Sequence, residues 1–97
     1  MDTYLKGERR MFKIYFIDST RNAHLITEAE TLKECAIARR EDMTRRGFNL
    51  DNCYYIRSWF ADYDGRPGQW IDFGSWNCFY FIEGATIEDN MKEDKEL

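Results

Sequence analysis

One proline, one histidine, three cysteines and no long apolar run mark these 97 residues as much by what is missing as by what is there. No segment approaches the roughly 20 apolar residues of a membrane-spanning helix. No secretory leader is legible either: the apolar run Met11–Ile17 is short, Lys13 interrupts it, and no small-residue cleavage site follows. Cys35, Cys53 and Cys78 are odd in number and widely spaced, unlike the dense, even set of a small secreted scaffold. Free thiols in a reducing cytoplasm are the expectation.

The lone histidine, His24, has no base-orienting neighbour in sequence, so a nucleophile–base pair has little to stand on. Zinc fails on spacing, because none of the cysteines forms a short pair with another or with His24. Asp62–Gly65 resembles the opening of a calcium loop but lacks its glycine and its terminal glutamate, and reads better as a hairpin turn. No phosphate loop is present. The expectation is a protein without metal, cofactor or catalysis.

A basic excess is missing as well. Residues 1–83 hold 12 basic and 13 acidic side chains, and residues 84–97 hold two and five. A near-neutral body with an acidic tail is not the footprint of a non-specific nucleic-acid binder. The chain divides into an N-terminal arm (1–10), one domain (11–83) and the acidic tail (84–97). Met11 is an alternative start to Met1.

What is present is an α+β pattern. Alternation over Met11–Ile17 predicts a strand, turn formers follow, and a second strand returns antiparallel to Ala29. Thr31 and Glu34 make a capping box for a helix over about Leu32–Arg46, with Leu32, Ala36 and Met43 on its apolar side beside Cys35. Gly47 is placed as its left-handed stop, with Phe48 as the apolar contact beyond. A long strand runs over Cys53–Tyr63, and Pro67-Gly68 suits a type II turn. Two further strands meet at Gly74-Ser75, read as a two-residue loop with Phe73 opposite Trp76 and Ile71 opposite Cys78. After Gly84 the chain is frayed or forms a short helix after Thr86. The order is β-β-α-β-β-β, a mostly antiparallel sheet with one helix on one face.

Aromatic residues make up 16% of the chain, and in Ile71–Gly84 they fall on both strand parities. One parity, with Phe73, Tyr80 and Ile82, faces the helix. The other collects Tyr15, Tyr55, Arg57, Trp59, Trp70, Asp72, Asn77, Phe79 and Phe81, with His24 also on the outward parity of its strand. A single helix covers one face only, so this second face is left as a platform, unless Tyr4 and Leu5, or Ile87 and Met91, fold over it. Large aromatics among a few polar groups have the make-up of an interface centre. The predicted partner-binding set is Tyr55, Arg57, Trp59, Trp70, Asp72, Asn77 and Phe79.

Two charged clusters also stand out. Arg39, Arg40, Arg45 and Arg46 read as a solvated helix end, with a phosphate-binding patch as the sharper alternative. Glu88, Asp89, Glu93, Asp94 and Glu96 read as a solubilising tail or a secondary acidic surface. The best functional expectation is a protein-binding module acting on a host protein or on a second copy of itself. The alternative is an RNA or single-strand binder that stacks bases on sheet aromatics. In size and style the chain resembles the short accessory proteins of phages and mobile elements, among them anti-CRISPR proteins: one compact aromatic-rich domain, a charged tail and no catalytic motif. That resemblance implies an inhibitor of a nucleic-acid-handling host enzyme, with the tail acids as candidate phosphate mimics.

Overall fold

The computed structural model describes residues 10–48 and 56–96. They form strands β1 (Phe12–Ile17) and β2 (Ala23–Ala29), helix α1 (Leu32–Arg45), strands β3 (Arg57–Tyr63), β4 (Arg66–Asp72) and β5 (Phe79–Glu83), and helix α2 (Ile87–Glu96). The five strands make one sheet in the order β2-β1-β5-β4-β3, antiparallel at every neighbour pair. This is the α+β class expected, with a second helix in the acidic tail.

Local chemistry sets the ends of α1. The Thr31 hydroxyl accepts the Glu34 amide, and the Glu34 carboxylate accepts the amides of Glu30 and Thr31. At the other end the Gly47 amide donates to the Thr44 carbonyl and the Phe48 amide to the Met43 carbonyl. Gly47 has φ +87°, the left-handed conformation this motif requires. Phe48 then folds back on Phe16 and Phe73.

α1 buries Cys35, Arg39, Asp42 and Met43, with Leu32 and Ala38 partly covered beside them. Cys35 therefore sits in the centre of the stripe rather than at its margin, and two charged residues share it. Asp42 is tolerated because its carboxylate accepts hydrogen bonds from Tyr80 Oη (2.7 Å), Arg46 Nε (2.6 Å) and Arg45 Nη2 (2.9 Å). Burial works to raise its pKa, and these donors outweigh burial and lower it. Arg46 is thereby drawn over the Phe16 ring, at 3.9 Å, while Arg45 reaches Asp42 from the solvent side. Of the helix-end arginines, Arg39 is buried, Arg45 and Arg46 brace Asp42 from the surface, and Arg40 is exposed.

The main core lies between α1 and the sheet: Phe12, Ile14, Phe16, Ile71, Phe73, Tyr80 and Ile82 meet Cys35 and Met43 there. α2 joins the same face. Asn90 and Gln69 exchange hydrogen bonds, and Glu93 accepts the amides of Leu32 (2.6 Å) and Lys33 (3.0 Å), capping the start of α1. Ile87 and Met91 stay exposed on α2 and do not cover the opposite face.

Two connections and one strand depart from expectation. The β3–β4 turn is Asp64-Gly65, both at positive φ (51° and 79°), so it is the Asp-Gly hairpin turn whose twist suits paired strands. Pro67 and Gly68 lie inside β4, opposite Asp62 and Ala61. Residues 73–78 all belong to the β4–β5 connection, and Ile71 faces Tyr80 rather than Cys78. The shift is two residues, which preserves parity, so the face assignments of β4 and β5 survive. Trp76 is the exception: it is 96% exposed at the loop instead of packed on the core side. Finally, a bulge in β2 opposite Ile14/Tyr15 turns His24 to the helix side, where its ring packs on Phe16 and its Nε2 meets Asp18 Oδ2 at 2.7 Å.

Candidate functional site

Both helices lie on one face of the sheet, and the other face is built from alternate residues of β1, β3, β4 and β5. Register places Trp59 beside Trp70, Trp70 beside Phe81 and Phe81 beside Tyr15, a row running across the sheet. The indoles of Trp59 and Trp70 lie parallel, 2° between planes, with centroids 6.3 Å apart. Phe79 meets both edge-on, at 6.1 and 5.8 Å. Tyr63 stands edge-on to Trp70 at 5.8 Å and tilted against Phe81 at 5.6 Å. Offset-parallel and edge-to-face contacts are the geometries that aromatic quadrupoles favour.

Burial is graded across this row. Phe81 and Ile17 are fully buried and Tyr15 is nearly so, although the described helices leave this face uncovered. Trp70, Phe79 and Tyr63 are half-buried, and Trp59 is 41% exposed. The aromatics shield one another. The face has a packed floor and an open top, which is why apolar residues occupy both parities of Ile71–Gly84. Gly68 makes the floor possible, since a Cβ there would fall 2.6 Å from Phe81 Cζ.

Polar groups rim the platform in pairs. Arg57 Nη2 donates to Asp72 Oδ2 at 3.0 Å, and Asp72 Oδ1 accepts the Gly74 amide at 2.9 Å. That backbone bond, with Arg57, holds the Asp72 carboxyl below its ordinary range. At the far end Arg66 Nη1 donates to Glu83 Oε1 (3.0 Å) and to Tyr15 Oη (3.1 Å), and Tyr15 Oη donates to the same Glu83 oxygen (3.0 Å). Burial, reinforced by Glu83, raises the Tyr15 pKa. The Arg66 guanidinium also sits over the Tyr15 and Tyr63 rings, and that of Arg21 lies 4.9 Å over Phe79. The Tyr63 hydroxyl donates to the Arg21 carbonyl at 2.8 Å, tying the first hairpin to the platform.

Of the residues expected at the site, Arg57, Trp59, Trp70, Asp72 and Phe79 come together. Asn77 does not: it lies exposed in the β4–β5 loop. Tyr55 and Cys53 fall outside the described residues. Sequence reasoning misses Arg66 and Arg21. The first is within reach, because Arg66 shares parity with Trp70. The second is not, since a turn residue at φ 69° follows no alternation.

Two residues of the secondary acidic surface are engaged inside the fold. Asp89 accepts from the amide and hydroxyl of Thr86 and pairs with Arg10 at 3.0 Å, while Glu93 caps α1. Glu88 is exposed, and the Asp94 side chain lies outside the described residues. Among the described residues no three His, Cys, Asp or Glu side chains cluster as metal ligands, and no helix is long and apolar enough to cross a membrane. Burial, with Glu93 and Glu34 nearby, pushes the Cys35 thiol up to about 12, which leaves it a poor nucleophile at neutral pH. No protein-family model, curated protein or solved structure matches the chain.

Proposed function

We propose that this protein is a binding module that docks a partner protein on the open aromatic face of its sheet. The observation that carries the reading is the parallel Trp59–Trp70 pair, with Trp59 41% exposed at the edge of a row in which Phe81 is fully buried. An exposed indole fixed on rigid neighbours loses little further freedom on binding. Tryptophan and arginine in such settings are the residue types that dominate interface energies. The Arg57–Asp72 and Arg66–Glu83 pairs add a polar rim of both signs.

The same pairing argues against nucleic acid. Stacking on exposed rings is sequence-tolerant, but phosphate contacts supply most of the affinity for single strands. Here Arg57 and Arg66 already face carboxylates. The resemblance to phage accessory proteins suggests a nucleic-acid-handling host enzyme as the target, reached through the aromatic face rather than by acidic mimicry from α2.

Photo-crosslinking tests this reading. A benzophenone amino acid at position 59 is expected to crosslink a protein in nuclease-treated host lysate, whereas the same group at Ile37, exposed on α1, is not. Equal crosslinking from both positions, or quenching of tryptophan fluorescence by oligonucleotides at micromolar concentration, would contradict it.

A further inference from the structure

We infer that the free edge of β3 is a self-association surface, pairing antiparallel with β3 of a second copy across a two-fold axis. The two edges of the sheet are treated differently. β2 carries a bulge, and α1 packs against it. β3 has no bulge or proline, is exposed along nearly its whole length, and among the described residues pairs with β4 alone. Natural sheets blunt such edges with bulges, prolines and lysines. β3 has no bulge, proline or lysine; its two charges, Arg57 and Asp62, stand toward its ends, and its centre is Trp59-Phe60-Ala61.

The hairpin dictates what this edge presents. In a two-residue turn the flanking pair, Tyr63 and Arg66, exchanges both of its hydrogen bonds. Alternation then turns the amides and carbonyls of Ser58, Phe60 and Asp62 away from β4, toward the edge.

The occupant follows from the strand's self-complementarity. With the two-fold on Phe60, each residue meets the one equally far along the other copy. Phe60 packs on Phe60, and the Ser58 hydroxyl faces the Asp62 carboxylate. On the aromatic face Trp59 meets Ala61, whose neighbour across the hairpin is Gly68, so the indole enters a notch floored by the Phe81 ring. Arg57 meets Tyr63, a cation beside a ring. No like charges come face to face, whereas centring the axis on Asp62 would oppose two carboxylates. A two-fold normal to the sheet keeps both aromatic faces on one side, giving a continuous platform with two Trp59–Trp70 pairs. This surface shares Trp59 with the platform, but its test does not depend on the partner-binding reading, because it is read at Phe60 on the other face of β3.

Sedimentation of the full chain over a micromolar to millimolar range tests the inference. Wild-type protein is expected to dimerise. Phe60→Lys, which sets two ammonium groups on the axis, is expected to weaken dimerisation by at least about tenfold with unchanged far-UV circular dichroism. Phe60→Cys is expected to give a reducible dimer on mild oxidation, since paired strands hold opposed Cα atoms about 5.5 Å apart. This second variant decides the matter should the lysine variant not fold. A wild-type chain that stays monomeric, a dimer untouched by Phe60→Lys in a folded variant, or no crosslink through Cys at position 60 would each overturn it.

Discussion

At the scale of the residue, two positions carry more than their size suggests. Asp42 is almost fully buried and joins α1 to β5 through Tyr80 while accepting from two arginines. Asp42→Asn removes the charge those donors need, and should cost about 3 kcal/mol, within the range for breaking a buried pair. Urea unfolding would register it, and a cost below about 1 kcal/mol would mean the network is incidental. A Cβ at Gly68 would fall on the Ile82 carbonyl oxygen and on the Phe81 ring, so Gly68→Ala should cost about 3 kcal/mol by overpacking. The aromatic floor should also loosen, visible as a changed near-UV circular dichroism.

At the scale of the element, α2 behaves as part of the fold. Glu93 caps α1 from another segment, so Glu93→Ala should remove about 0.5–2 kcal/mol, as for other N-caps, and truncation after Ile87 should cost more than that. The comparison of unfolding midpoints between the two variants checks this. Legibility divides along the same line. The ends of α1 are readable because Thr31, Glu34, Gly47 and Phe48 act on backbone within a few residues. Face assignments survive a misplaced β4–β5 register because the slip is even. The role of Glu93 is invisible, since a tail carboxylate that reaches a helix start about sixty residues away leaves no periodic trace. The buried stripe of α1 escapes a sequence reading because Arg39 and Asp42 look solvated until Tyr80 is brought beside them. His24 is misplaced by a bulge, which adds one residue and inverts parity.

At the scale of the whole molecule, stability should depend on pH at both extremes. Asp42, Asp72 and Asp89 have pKa values lowered by folding. Their contribution is complete above the unfolded carboxylate range, about pH 4, and disappears as pH falls below it. Tyr80 is raised, by burial and by its bond to Asp42. Its contribution is complete below about pH 10 and is lost as pH climbs past that value. Urea midpoints should therefore fall on both sides of a broad plateau, with Asp42→Asn flattening the acid limb and Tyr80→Phe the alkaline one. The larger architecture is a sheet with a conventional core on one face and a self-shielded aromatic platform on the other. The central consequence of the proposed function is that Trp59 serves binding and Phe81 serves folding. The most direct test is the dissociation constant of the crosslinked partner for wild-type protein and for Trp59→Ala. A loss of at least about 2 kcal/mol, roughly thirtyfold, is predicted, with far-UV circular dichroism unchanged. An unaltered dissociation constant, or a Trp59→Ala chain that no longer folds, would contradict it.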